Sequence, residues 1–433
     1  MNAVPAPVAA LLDAWDDSSL YPAALRAGLL PYLGTRGPCV AVRTLDGGRA
    51  WAVTGHRALR EAALRPRDFS GELLGTAMSD PSPEEIALLR LQLPGLSCGP
   101  HARMRHGLSA PLRADMARGL SDRVREATAA RTAALSRTAA GAAPTALLSR
   151  TAAGAGPQPA AADLVRDVVV PVVADALGEL LGVPRGLAEE FRSWCVDSSE
   201  MASDPEAEEQ ALRAFLHLCT RLRRHRTAHP ADDLPTSLAT RLTSSTGGFA
   251  LNWVLLVKAG FGATVSAGAQ LLRALPGGGA AGGGAAGGVP ALLDETLRRY
   301  PPILQARRTA ARHTSLAGRD IAAGERVLLV FAAPGQASGR VPHTVFGHGR
   351  HACPGAPWAR ALLTGLADGA APAAARWHLP DTASTYATSF SQGLRTLPVE
   401  PVSRGPCGAG SSSPAPTGHH AAPRCPADPR SAR

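Results

Sequence analysis

The chain has 433 residues, 45% of them hydrophobic and 4% aromatic, which is enough apolar mass for one large domain or two smaller ones without covalent staples. Its formal net charge of +10 comes from arginines scattered along the whole length with no aromatic-rich basic ribbon, which argues against a nucleic-acid partner. The seven cysteines, at 39, 98, 195, 219, 353, 407 and 425, are odd in number and widely spaced, with no C-x-x-C pair, which argues against a disulfide scaffold or a zinc site and for a reducing cytoplasm.

The first residues, MNAVPAPVAALLDAWDDSSLYP, lack a basic n-region and carry acids early, so neither a signal peptide nor an anchor is expected there. Short strands are expected within 39–54, and residues 50–70 read as a strand, a turn and an amphipathic helix. Apolar residues three and four apart then predict helices over 84–92, 119–135, 162–181 and 205–225. LSRTAAGAAP at 135–144 is nearly repeated at 148–157, a small-residue insertion that buries little surface. The apolar run 249–275 contains Asn252, Lys258 and Gln270, so it reads as a core helix and not a membrane span. Residues 276–290 are too glycine-rich for a helix, each Gly costing roughly 1 kcal/mol relative to Ala, and read as a flexible link. Further short strands fall within 314–332. The Pro, Gly and Ser of 403–433 predict a disordered tail in which Cys407 and Cys425 have no structural role. The sum is a mainly α fold with a small β subdomain, one domain over 1–402 interrupted by insertions at 135–160 and 276–290.

The stretch FGHGRHACPGAPWAR, 346–360, places Cys353 directly before a helix start signalled by Pro354 and Pro357. A thiolate ligand needs a free-amide, electropositive helix start, and Gly347, Gly349 and Gly355 let the backbone turn closely against a flat ligand. The pattern F-x-x-G-x-x-x-C-x-G, filled by Phe346, Gly349, Cys353 and Gly355, resembles the haem-binding signature of cytochromes P450. Other stretches follow in that family's order. DETLRRYPP supplies E-x-x-R as Glu295 and Arg298, with Arg340 as the nearest third member, and SFSQGLRTLPVE resembles the closing hairpin of bacterial members. The resemblance implies the cytochrome P450 fold, haem b (iron protoporphyrin IX) with Cys353 as its metal ligand, and propionate contacts from His101, Arg105, Arg308 and His351. It also implies a monomeric cytoplasmic monooxygenase without membrane contact, which acts on a small molecule and draws electrons from NAD(P)H through ferredoxin reductase and ferredoxin. Arg350 and Arg360 are candidates for guiding that acidic partner.

Two departures matter. Where the family carries an acid and a threonine on its long helix, this chain has Gly262 and Ala263, and Thr264 stands one residue late, about 100° further around a helix. A local bulge restores Thr264; otherwise the proton route through these positions is missing. Lys258, an odd cation one turn earlier, is expected to form a back-side ion pair. Between 333 and 343 the family's usual meander is cut to a few residues. These losses leave open a degenerate, non-catalytic partner protein, or a peroxide-using or oxidative-coupling haem enzyme, beside a monooxygenase of specialised metabolism. A hydrophobic substrate would meet segments 70–100, 170–185, 249–265, 300–306 and 388–395.

Overall fold

The computed structural model describes residues 4–73, 78, 80–96, 98–109, 114–138, 162–200, 205–243, 245–275, 288–332 and 344–401. The insertion between 139 and 161, most of the glycine-rich link, Arg340 with the rest of 333–343, and the tail lie outside them. Residues to Pro401 fall in one compact unit.

A long apolar helix, Thr246–Ala274, runs through the helical part. Ser245 caps it by accepting from the Gly248 amide at 3.0 Å, which satisfies one of the free N–H groups of the first turn. Trp253 anchors its buried side between Phe215, stacked at 5.5 Å, and Phe191, edge-on at 5.7 Å. Asn252 and Gln270 are buried in it, and Asn252 makes hydrogen bonds to Leu91 and Leu93.

The cysteine helix, Ala356–Ala374, packs on helix Ala114–Thr138. Gly365 and Gly369 make that contact close: a methyl at either would overlap the carbonyl of Ser121 or Arg125.

A five-stranded sheet lies beside the helices in the spatial order Cys39–Arg43, Arg49–Val53, Arg326–Val330, Gln305–Ala310 and Phe69–Ser70. Strand Arg49–Val53 is parallel to Arg326–Val330, and every other pairing is antiparallel. In strand Gln305–Ala310 successive side chains point to opposite faces. On one face Gln305 holds Trp15, Tyr21 and Ser389 by hydrogen bonds, and Arg307 pairs with Asp80. Arg308 is sent to the other face. That strand and three short N-terminal helices, Ala6–Asp13, Tyr21–Arg26 and Leu29–Arg36, go beyond the elements expected from the sequence.

Candidate active site around Cys353

Cys353 stands two residues before Gly355, the N-cap of the cysteine helix. Its amide donates to the Phe346 carbonyl at 2.7 Å, which closes the loop that presents it. Gly347 and Gly349 both have φ of 67°, a left-handed conformation that residues with a Cβ rarely adopt. A Cβ at Gly349 would also stand 2.7 Å from the Ala63 carbonyl oxygen. Gly349 therefore serves close packing on helix His56–Leu64 as well as the turn. Gly355 has an ordinary φ of −87°.

Cys353 is solvent-reachable, yet burial pushes its thiol up from the ordinary value, against the amides of Gly355 and Ala356 and the charge of Arg105. The two observations describe a sulfur enclosed on most sides and open on one. At this cysteine loss of hydration outweighs the positive field of the helix start.

Around the sulfur the structure gathers cationic and imidazole groups. Helix Cys98–Ser109 carries His101 and Arg105, four residues apart on one face. Arg105 donates to the Ala352 carbonyl and, at 3.3 Å, to that of Arg350. His101 is buried and meets the His351 ring at 4.8 Å between centroids. His351 is held down to about 3 by burial and by Arg308, His101, Arg350 and Arg105, and His101 is lowered by burial, Arg350 and Arg105. Both imidazoles are neutral at pH 7. Arg308 is 8% exposed, and burial followed by Arg350 lowers it to about 10. Its Nη1 donates to the Arg307 carbonyl at 2.7 Å, and among the described residues no carboxylate lies in ion-pairing reach of it.

Glu295 and Arg298 are paired. Arg299 joins them with its Nε 2.5 Å from Glu295, and although burial opposes it, the bonds from Arg299 and Arg298 hold the Glu295 carboxyl low. Arg298 Nε is buried and has no partner among the described residues. Arg340, the proposed third member, lies outside them.

The central helix is α-helical throughout Thr246–Ala274, with no bulge at the departure. Thr264 is accordingly buried, Ala263 half-buried, and Gly262 exposed. Nothing lies within 4 Å of a Cβ placed on Gly262. The back-side ion pair expected for Lys258 is absent: this lysine is exposed and meets no carboxylate among the described residues.

Arg350 and Arg360 do not form a free basic face either. Arg350 pairs with Glu72 at 2.5 Å, while Arg360 pairs with Asp294 at 2.6 Å and lies over the Phe346 ring at 5.3 Å. Glu72 and Asp294 were not expected from the sequence, since nothing in a single chain signals a partner 278 or 66 residues away. Among the described residues, exposed cations near the cysteine loop stand on helix His56–Leu64. Arg57 and Arg60 are exposed there, beside His56, whose ring faces that of His348 at 6.2 Å.

No family model matches the chain. It is 27% identical to cytochrome P450 107B1 of Saccharopolyspora erythraea over 84% of this chain and 92% of that one. It is also 27% identical to the cytochrome P450 monooxygenase PikC of Streptomyces venezuelae, over 85% and 89%. Among solved structures, CYP108D1 of Novosphingobium aromaticivorans superposes with a TM-score of 0.68 at 19% identity over 92% of this chain and 99% of that one. P450 OxyD, involved in the biosynthesis of vancomycin-type antibiotics, gives 0.68 at 22% identity over 89% and 98%. Over most of its length the chain therefore has the cytochrome P450 fold and is similar in sequence to cytochrome P450 monooxygenases.

Proposed function

We propose that the protein is a haem-thiolate monooxygenase of specialised metabolism, acting on a hydrophobic small molecule in the cytoplasm. The observation that supports this reading is Arg308, a buried guanidinium without a carboxylate partner among the described residues, which acts on His351 within a cluster that includes His101 and Arg105, the last of these acting on exposed Cys353. A buried charge is strongly disfavoured unless paired, so this cluster calls for anions. Two propionates on a flat macrocycle are such anions, and the donor set fits them.

In this proposal Cys353 holds the iron, and Phe346 and the turn at Gly347 and Gly349 fix the sulfur's direction. Arg105, Arg308, His101 and His351 hold the propionates, the neutral imidazoles giving one N–H each. Bound haem with a thiolate ligand supplies oxygen activation and oxidation of unactivated C–H bonds. Glu295 and Arg298 hold the segment beneath it. On the central helix Gly262 and Ala263 carry no group able to hold a proton, and Thr264 is turned into the core. Electrons are proposed to come from NAD(P)H through a ferredoxin reductase and a ferredoxin, to a monomer.

The test is the spectrum of the dithionite-reduced, carbon-monoxide-bound protein. It is expected at the thiolate-ligated position and lost in Cys353→Ala; a colourless protein after expression with ample haem would sink the reading. A specific observation favours a second reading, a peroxide-using enzyme: the unbulged helix leaves no acid or alcohol at 262 and 263. Turnover with hydrogen peroxide equal to or above that with ferredoxin and NADPH would select it.

A further inference from the structure

Helix Thr246–Ala274 carries only two charged residues, Lys258 and Arg273. Arg273 sits in the last turn, its guanidinium 5.0 Å over the Tyr300 ring. Lys258 is the single lysine of the chain and stands in the middle of an otherwise apolar stretch. On this helix Lys258, Ala259 and Gly262 are exposed and Leu255 is half-buried, while Trp253, Val257, Phe261 and Thr264 are buried. At 100° per residue, 255, 258, 259 and 262 fall on one side, so the opening is a narrow stripe along a core helix.

Other segments frame the two ends of the stripe. Before it, the Asn252 side chain accepts from the Leu93 amide at 3.1 Å and donates to the Leu91 carbonyl at 2.8 Å, and Gln92 reaches the Leu251 carbonyl at 3.2 Å. Beyond it, Ser266 donates to the Gln392 carbonyl at 2.5 Å. The stripe therefore lies between segment 91–93 and residues 392–393, and the residues that share it with Lys258, namely Leu255, Ala259 and Gly262, carry no polar side chain. Lys258 meets no carboxylate among the described residues.

An ammonium in such surroundings loses hydration when an apolar molecule covers it, and an anion on that molecule offsets the loss. One lysine matches one charge, which favours a carboxylate over a phosphate dianion; the latter would call for a second cation or a guanidinium fork. We infer that Lys258 is a specificity-determining residue that binds the carboxylate of an otherwise apolar substrate, fixing that end one helical turn from Gly262. Leu255 and Ala259 flank the carbon skeleton. This inference rests on the haem-thiolate reading for its consequence, since it orients the substrate relative to Cys353.

Because the chain has one lysine, biosynthetic labelling of lysine side chains with carbon-13 and nitrogen-15 gives a single side-chain NMR signal, from Lys258, which reads binding whether or not haem is loaded. The probes are dodecanoate, methyl dodecanoate and dodecanol. Dodecanoate is expected to shift the lysine signal saturably and to bind about 10- to 100-fold tighter than the ester or the alcohol. Lys258→Met is expected to remove that preference and Lys258→Arg to keep most of it, with both variants melting as the parent does. An unmoved lysine signal, no binding of dodecanoate, or the same acid preference in Lys258→Met overturns the inference. Loss of the carbon-monoxide spectrum with an intact lysine response would instead strike the haem-thiolate reading alone.

Discussion

At Arg308 the demands of folding and of the proposed cofactor pull in opposite directions. Replacing a buried, unpaired charge by an apolar group of similar size is often neutral or stabilising, so Arg308→Leu is expected to leave the melting temperature of the haem-free protein unchanged or higher. The same change removes a proposed propionate partner, and haem transfer from the variant to an acceptor apoglobin is expected to run about tenfold faster. Faster transfer with no gain or loss in the haem-free melt would separate a binding role from a packing one. Gly262 gives the complementary case. Its open surroundings admit a side chain, and a non-glycine residue in a helix interior gains roughly half a kcal/mol. Gly262→Asp is therefore expected to fold at least as well as the parent and to raise the ratio of product to released peroxide with ferredoxin and NADPH; an unchanged ratio would count against proton delivery as the missing element. Residues such as Cys353, His101 and Glu295 could be proposed from the sequence because their spacings fix which groups share one turn or loop. Glu72 and Asp294 could not, because their partners are brought to them only by tertiary packing.

Among the elements, the cysteine helix is set by two close approaches. A methyl at Gly365 would overlap the Ser121 carbonyl, and even modest overpacking costs roughly 1–3 kcal/mol; Gly365→Ala is expected to lower unfolding free energy by at least that amount in denaturant titrations. The sheet depends on charge instead. Asp80 accepts from Arg326 at 2.7 Å and pairs with fully buried Arg307, and although its own burial opposes them, these bonds lower its carboxyl. A depressed folded-state value gives stability that is present above the unfolded carboxylate range, near pH 4, and is lost as pH falls through the folded value. Asp80→Asn is expected to cost about 2 kcal/mol at pH 7, since Asp80 is half-exposed but leaves Arg307 buried, and to flatten the loss of stability below pH 4. A parallel acid limb in both proteins would rule Asp80 out. Strand Gln305–Ala310 was hidden in the sequence for the same reason. QARRTA has no apolar alternation, and its adjacent arginines are both buried, one satisfied by Asp80 and the other turned toward the cysteine site. The long apolar helices were legible because their periodicity survives any context.

At the scale of the whole molecule, the excess positive charge matters through where it is left unpaired. Arg350 and Arg360, nearest Cys353 in sequence, are neutralised by Glu72 and Asp294. On helix His56–Leu64, Glu61 is taken by Arg65 at 2.8 Å, while Arg57 and Arg60 stay exposed with no carboxylate in reach among the described residues. That helix touches the loop carrying the sulfur through Gly349 and Ala63, so its cations lie one contact from the proposed iron ligand. An acidic ferredoxin steered there would associate faster at low salt, because exposed charges act over a Debye length of about 10 Å at 0.1 M. The double variant Arg57→Glu with Arg60→Glu is expected to cut the second-order rate of reduction by ferredoxin about tenfold at low ionic strength and to flatten its salt dependence. Turnover driven by hydrogen peroxide should stay level in the same variant, since no protein partner is needed. A ferredoxin rate that is unchanged and equally salt-dependent would place the docking surface elsewhere, while a matching fall in peroxide turnover would show that the substitutions had disturbed the cysteine loop.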